Sequence, residues 1–332
     1  MTARLSITAS TAVSVFAYAI VLLTFTVPGD GWTQSFPTKP IRLIVPYPPG
    51  GGADVVARPL AQRLTENLGQ QVIVDNRSGA GGNLAMQFTA KAPPDGYTVV
   101  LALTAQWAIN PALYPKLGYD PSGDFAPVTL LGTAPYVMVV HPSLPVKSVR
   151  DFIVLAKSRP DQLSFASAGN GSGAHLSGAM LHMMAGIRTL HIPYKGIGLA
   201  MPDLISGQVQ YTYGTYTAVG PLIRSDRLRA LAVTTQRRSS VLPDLPAISE
   251  AVPGYDSSVW YGVAVPAGTP PAVVARLNTA IQQVMKQEEL RQRLGTEAFE
   301  AIVSPPEQLA AHVKTEIARW AKVVQASGAK LD

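Results

Sequence analysis

Three glycine-rich turns carry the residue types in this chain that could bind a small ligand. The first covers residues 46–54 (PYPPGGGAD) and lies between an apolar run and a helical pattern. Glycines let the backbone approach a ligand closely, and the free N–H groups at a helix start attract an anion. A turn that only capped a helix would need one glycine, so this segment favours a ligand contact. The second turn, residues 78–83 (SGAGGN), fits a structural role and a ligand-binding role equally well.

The third turn, residues 167–174 (SAGNGSGA), matches the G-x-G-x-x-A pattern of dinucleotide sites. Such sites also need an acidic residue about 20 positions further on to hold the ribose. Residues 189–195 (TLHIPYK) contain none, so the dinucleotide interpretation fails. A small anion at the helix start, bound with help from the hydroxyls of Ser167 and Ser172, is the hypothesis that this turn supports.

Arrangements typical of catalysis are missing from the sequence. The chain has no cysteine, and Asn170 stands where a hydrolase elbow around Ser172 would need glycine. The five histidines show no H-E-x-x-H spacing, and no carboxylate pair has a spacing suited to acid–base work. We therefore predict a binding protein without catalysis, cofactor or metal. An exported enzyme of the α/β hydrolase type is the weaker alternative.

The composition favours a folded chain of about two domains. It has 332 residues, of which 47% are apolar and 14% charged, with a net charge of +6. The densest basic group, residues 224–238, is interrupted by Asp226 and by the apolar run 228–234 (LRALAVT). A nucleic-acid groove would align its basic residues along one face with aromatic residues between them. We therefore expect no nucleic-acid partner.

The first 35 residues have the layout of a secretory signal peptide. Arg4 precedes an apolar run at residues 11–27, which a Pro-Gly pair closes. We predict export to the periplasm, with an uncleaved N-terminal anchor as the alternative.

Strands and helices alternate in two successive units, which predicts parallel strand pairing. In the first unit we predict strands at 41–46, 71–74 and 97–103 and helices at 55–68 and 82–92. In the second we predict strands at 163–166, 189–193, 209–213 and 228–234 and helices at 149–158, 175–185 and 197–205.

The C-terminal third differs, because it predicts two long amphipathic helices at 270–285 and 305–324. Strand-like stretches at 137–141 and 259–265 are interpreted as the two places where the chain crosses between lobes. The predicted organisation is a signal peptide at 1–35, a discontinuous first lobe at 36–139 and 261–332, and a second lobe at 140–260.

Motifs along almost the whole chain after residue 35 resemble those of one family. Residues 37–51 (PTKPIRLIVPYPPGG) are closely similar to the opening of Bug-family proteins, the TctC-like solute-binding proteins of tripartite tricarboxylate transporters. The similarity continues in order at 54–58, 75–82 (DNRSGAGG), 94–97 (PDGY), 110–114 (NPALY), 124–128 (DFAPV), 166–176, 193–196 (PYKG), 228–234, 242–246 (LPDLP), 253–255 and 266–270 (PAGTP).

The resemblance implies an α/β fold of the type II periplasmic binding class (Venus flytrap), in which each lobe is a mainly parallel sheet flanked by helices. It also implies capture of a small carboxylate, either a di- or tricarboxylate or an aromatic one, in the cleft between the lobes. The partners would be a large and a small permease subunit, and we expect the carrier to be a monomer. A sensor that presents the ligand to a two-component receptor is the alternative.

The resemblance also implies a set of ligand-binding residues. They are Tyr47, Pro49, Gly50, Gly51, Asp54, Thr104 and Gln106 in one lobe and Ser167, Ala168, Gly169, Ser172 and His175 in the other.

Aromatic residues near the predicted cleft raise the hypothesis of an aromatic carboxylate. Trp107 follows the third strand, while Tyr211, Tyr213 and Tyr216 crowd a strand end in the second lobe. Ala179 and Gly214 stand where many relatives carry acidic residues, which disfavours a ligand with an ammonium group.

Overall fold

The computed structural model describes residues 36–50, 52–194, 196–296 and 298–329; the predicted signal peptide lies outside this part. The strands of the described residues are, in chain order, β1 (Ile41–Val45), β2 (Val72–Asn76), β3 (Thr98–Leu103), β4 (Phe125–Ala134), β5 (Tyr136–Val140), β6 (Ser164–Ser167), β7 (Leu190–Pro193), β8 (Tyr211–Thr215), β9 (Arg229–Val233), β10 (Val259–Pro266) and β11 (Glu300–Ala301).

Ten α-helices occur within the same residues. They are α1 (Gly52–Leu68), α2 (Asn83–Ala90), α3 (Asn110–Leu113), α4 (Val149–Ser158), α5 (Gly173–Ala185), α6 (Ile197–Ile205), α7 (Tyr216–Arg224), α8 (Pro271–Met285), α9 (Glu288–Gly295) and α10 (Pro306–Ser327). A π-helical turn, Ala105–Ile109, leads into α3.

The first sheet has the strand order β11-β4-β10-β3-β1-β2. Strand β1 pairs in parallel with both β2 and β3, because α1 and α2 provide the crossovers. Four of its five residues are buried, as expected for a strand covered on both faces. Strand β10 then enters antiparallel between β3 and β4.

The second sheet repeats this design with the order β7-β6-β8-β5-β9. Strand β6 pairs in parallel with β7 and β8, whereas β5 pairs antiparallel with β8 and β9. Both sheets are thus mixed where mainly parallel sheets were expected. The reason is that β5 enters the second sheet directly from the first, and β10 enters the first sheet directly from the second. Neither strand is preceded by the crossover helix that would bring it in parallel to its neighbours.

The chain passes between the sheets at two points. The first lies between β4 and β5, where Pro135 separates the two strands, and the second lies between β9 and β10. Strand β5 belongs wholly to the second sheet and β10 wholly to the first. The lobe boundaries at 139/140 and 260/261 stay predictions.

Helix α10 packs against α5 beside the second sheet and against β4 of the first. Its buried residues, among them Leu309, Val313 and Trp320, join the largest apolar core of the described chain. In the part of the chain that the structure describes, no helix is both long and apolar enough to cross a bilayer.

Candidate functional site

A cavity of about 760 Å³ lies between the loops at the strand ends of the two sheets. All three glycine-rich turns reach it: the first and the second, through Gly81, from the first sheet, and the third from the second sheet. Its lining residues are Tyr47, Pro48, Pro49, Gly50, Gly52, Ala53, Gly81, Leu103, Thr104, Ala105, Ile109, Asn110, Leu113, Tyr114, Tyr136, Ala168, Asn170, Gly171, Ser172, Gly173, Thr215, Ser257, Ser258, Val259, Tyr261 and Trp320.

The first turn is held from behind by a buried carboxylate. Asp54, in the first turn of α1, accepts hydrogen bonds from the Gly50 amide (2.9 Å), the Arg58 guanidinium (2.7 Å) and the Asn76 side-chain amide (3.0 Å). Burial acts to raise the pKa of Asp54, but the three donors together hold it below its ordinary value. The side chain is only 4% exposed, so Asp54 shapes the turn without facing the cavity.

The π-helical turn after β3 places Gln106 under the same wall. Its amide nitrogen donates to the Tyr47 hydroxyl (3.0 Å) and to the Gly81 carbonyl (2.7 Å), and its oxygen accepts from the Leu103 amide (3.1 Å). Burial raises the pKa of Tyr47, so this phenol stays neutral. Gln106 thus ties together three segments of the first lobe, and it is fully buried.

The third turn ends at the start of α5. The Ser172 hydroxyl caps this helix by accepting from the His175 amide (3.3 Å). Behind the turn, the Ser167 hydroxyl bonds the backbone of Gly169 and lies 2.6 Å from Nε2 of His191. The cap satisfies one N–H of the helix start, and the glycine at position 173 leaves room for a neighbouring side chain to approach the backbone there.

Tyrosine hydroxyls lie beside the glycines of these turns. A Cβ added at Gly173 would collide with the Tyr136 hydroxyl, and one at Gly52 would lie 3.8 Å from the Tyr261 hydroxyl. Phenols are therefore placed at the first residue of α5 and of α1. Burial raises the pKa of Tyr136, which keeps its hydroxyl a neutral donor.

The described wall of the cavity contains no Lys, Arg, His, Asp or Glu. Its polar groups are hydroxyls, side-chain amides and backbone N–H and C=O groups, set among apolar side chains such as Leu113 and Val259. Within this wall, an anion would be stabilised by helix-start N–H groups and neutral donors rather than by a cationic side chain.

The predicted binding residues fall into groups by position. On the cavity wall are Tyr47, Pro49, Gly50, Thr104, Ala168 and Ser172. Supporting positions behind it hold Asp54, Gln106, Ser167, Gly169 and His175. Gly51 lies outside the described residues.

The structure places Trp107 and Tyr213 in the core rather than on this wall. The Trp107 indole packs edge-on against Phe125, with the ring centroids 5.2 Å apart. Tyr213 is fully buried in β8, and its ring contacts Tyr211. The sequence could not show whether these aromatic residues lie in the core or in the cleft, because aromatic residues of both kinds follow or end apolar strands.

Several wall residues were not predicted. Asn110 and Tyr114 come from the NPALY motif, which was noted only for its family resemblance. Tyr136 begins β5, while Ser257 and Ser258 precede β10. No local sequence signal marks these three residues; they reach the wall because they adjoin the two chain crossings.

A second cavity of about 380 Å³ lies on the far side of β6 and α5. His175 and His191 stack there with ring centroids 3.9 Å apart, and His182 lines the same space. Burial, followed by the proximity of His175, lowers the pKa of His182 and of His191 to about 4. His175 accepts from the Gly171 amide (3.1 Å), so this cluster supports the third turn from behind.

The chain folds into two mixed α/β lobes that are joined by two crossings. Turns from both lobes line one ligand-sized cavity. This is the arrangement of a two-lobed periplasmic binding protein. Comparison with known proteins agrees. The family model described as "Tripartite tricarboxylate transporter family receptor" (TctC) matches residues 56–329. The chain therefore belongs to the TctC family of solute receptors.

Solved structures of relatives share the fold. R. palustris Rpa4515 with adipate is 39% identical, with a TM-score of 0.78 over 89% of this chain and 100% of that one. The periplasmic binding protein BugD is 34% identical, with a TM-score of 0.74 over 89% and 99% of the two chains. MatC from Rhodopseudomonas palustris with bound malate is 35% identical, with a TM-score of 0.72 over 87% and 100%.

Proposed function

We propose that this protein is a non-catalytic periplasmic carrier that captures a small carboxylate between its lobes. Residues 1–35 would direct its export. The carrier would then hand the ligand to the large and small permease subunits of a tripartite tricarboxylate transporter. The lobes would divide close to the predicted 139/140 and 260/261, at the crossings before β5 and before β10.

One observation carries the proposal: a glycine-rich helix start from each lobe reaches the same cavity. Helices α1 and α5 each begin there with glycine, so backbone N–H groups and the positive ends of two helix dipoles can face one ligand. Relatives at 39% and 35% identity were solved with adipate and with malate, which supports a carboxylate as the ligand.

The uncharged wall is compatible with this role. A carrier must release its ligand to a permease, and donors without a full charge hold a carboxylate less strongly than an arginine pair would. Ordered water can complete the hydrogen bonds of the carboxylate at modest cost.

A panel of carboxylic acids, with matched amides as controls, tests the proposal by thermal shift and calorimetry on the purified carrier. We expect one or more acids to raise the melting temperature and their amides to leave it unchanged, because a ligand that binds only the folded state stabilises it. Equal responses to acids and amides would refute carboxylate capture. Uptake of the labelled acid by cells that carry the permease genes, with and without the carrier gene, tests delivery.

A further inference from the structure

We infer that the carboxylate taken by this cleft carries an aromatic ring. This inference rests on the proposed function and names the ligand class of the same cavity. The tyrosines on the wall, Tyr47, Tyr114, Tyr136 and Tyr261, carry it. None of these is an aromatic residue on which the sequence hypothesis stood.

The first support is the chemistry of the wall. Four tyrosines border the cavity, together with Leu103, Ile109, Leu113 and Val259, whereas Trp320 reaches it but is only 1% exposed. Aromatic rings favour other rings in edge-to-face or offset stacked contacts, beyond the gain from apolar burial alone. A ligand whose body is a ring can use this wall by packing against its tyrosine rings and aliphatic side chains.

The second support is that the described wall contains no Lys, Arg, His, Asp or Glu side chain. A citrate-like tricarboxylate would bring three charges to a site with two helix starts and no cationic side chain on that wall. An amino acid would bring an ammonium group with no carboxylate on the wall to pair it. One or two carboxylates on an uncharged body match the donors better.

The third support is the placement and rigidity of the rings. Tyr136 and Tyr261 line the cavity and have their hydroxyls at the starts of α5 and α1, next to the positions where carboxylates would bind. Tyr261 is held edge-on against Phe299, with the ring centroids 5.2 Å apart. Rings fixed before binding lose little conformational entropy when a ligand ring packs on them.

The size of the cavity agrees with a ring-bearing ligand. Its volume of about 760 Å³ lies in the range of pockets for drug-sized ligands.

Calorimetry with two matched diacids tests the inference. Benzene-1,4-dicarboxylate and adipate each carry two carboxylates separated by four intervening carbon atoms along the shortest path, and they differ in the ring. We expect the aromatic diacid to bind about tenfold more tightly than adipate. Equal or tighter binding of adipate would overturn the ring inference and leave carboxylate capture standing. If neither these diacids, benzoate nor malate binds, the proposed function fails together with the inference.

A variant pair locates the effect in the wall. Tyr114→Leu removes a half-buried ring from the cavity and keeps an apolar side chain there. We expect the preference for the aromatic diacid to shrink to about threefold or less, with adipate affinity retained. Tyr216→Leu, on α7 and away from the cavity, is the control and should keep the full preference. An unchanged preference in a folded Tyr114→Leu protein, checked by its melting temperature, would contradict the assignment.

Discussion

Asp54 shows how one buried side chain can shape a ligand turn without touching the ligand. Its carboxylate collects donors from the turn, from the next turn of its own helix and from the end of β2. The negative charge lies at a helix start, where the helix dipole also favours it. Asp54 therefore fixes the path of the backbone at Gly50, next to the cavity.

We predict that Asp54→Asn destabilises the protein by about 1–3 kcal/mol at pH 7. The amide keeps the shape but loses the charge-assisted bonds to Arg58 and to the Gly50 amide. Urea unfolding measures the difference, and Asp244→Asn at an exposed position is the control. Because the folded-state pKa is lowered, the contribution of Asp54 is present above about pH 4 and is lost as the pH falls through the folded pKa. The two proteins should therefore converge in stability in strong acid; a constant difference down to about pH 2 would contradict the role given to the charge.

The stacked histidines behind the third turn predict a second pH effect. In the unfolded chain, histidine binds a proton below about pH 6.5, whereas folded His182 and His191 do so only near pH 4. The unfolded state thus holds more protons between these values, and stability must fall as the pH drops from about 6.5 to about 4. We expect the melting temperature to decrease by roughly several degrees over this range.

The variant His191→Gln should weaken this dependence, because it removes one titrating ring from the stack. Melting temperatures at several pH values between 7 and 4 measure it. His141→Gln, in which the histidine lies outside the cluster and contacts Ser143, is the control. A wild-type slope in His191→Gln would contradict the assignment of the pH effect to this cluster.

At the scale of elements, the start of α5 is the point where backbone, helix dipole and cavity meet. Gly173 is the first residue of this helix, and its missing side chain leaves room for the Tyr136 hydroxyl. Since this tyrosine comes from the first strand after the chain crossing, the contact also sets the distance between β5 and the helix start.

We predict that Gly173→Ala lowers carboxylate affinity by about tenfold or more, because the new methyl group displaces Tyr136 and covers helix-start N–H groups. The stability cost should be about 1–3 kcal/mol, as for other overpacked sites. Calorimetry and urea unfolding measure the two effects. Gly198→Ala is the matched control, since a Cβ on that helical glycine meets no atom within 4 Å. Wild-type affinity in a folded Gly173→Ala protein would exclude this helix start from the site.

The elements differ in how well the sequence predicted them. Helix α4 and helix α6 were predicted with their observed bounds, because capping residues or apolar periodicity mark them. Strand β4 was missed, since Pro127 and Gly132 break its apolar pattern. In the structure these residues lie opposite β10, near irregularities in the register between the two strands. Tertiary pairing made this strand, so local pattern could not predict it.

The residues of the candidate site also differ in how well the sequence predicted them. The glycine-rich turns could be recognised in the sequence because they contain more glycines than a helix cap requires. Ser257 and Ser258 were not, because nothing local marks them, and they reach the cavity only through the path of the chain between the sheets. Residues contributed by chain topology need the fold before they can be recognised.

For the whole molecule, α10 connects parts that the two sheets would otherwise hold separately. Buried Glu316 accepts from the indoles of Trp260 in β10 (3.0 Å) and Trp320 on the cavity wall (3.1 Å), and from Arg319 (2.7 Å). Arg319 also pairs with Asp256, in the segment where the chain crosses back to the first sheet (3.4 Å). One carboxylate thus couples the C-terminal helix, the cavity wall and a crossing segment.

We predict that Glu316→Ala destabilises the whole protein by about 2–4 kcal/mol, because it leaves two buried indole N–H groups without their acceptor and Arg319 without a partner on its own helix. Glu316→Gln should cost less, since its amide oxygen can still accept from an indole. Urea unfolding followed by tryptophan emission measures both, and Lys322→Ala on the exposed side of α10 is the control. Because α10 packs beside both sheets, the loss should lower the unfolding midpoint of both lobes together. Selective unfolding of one lobe in Glu316→Ala, or a stability equal to that of Lys322→Ala, would show that this network does not couple the lobes.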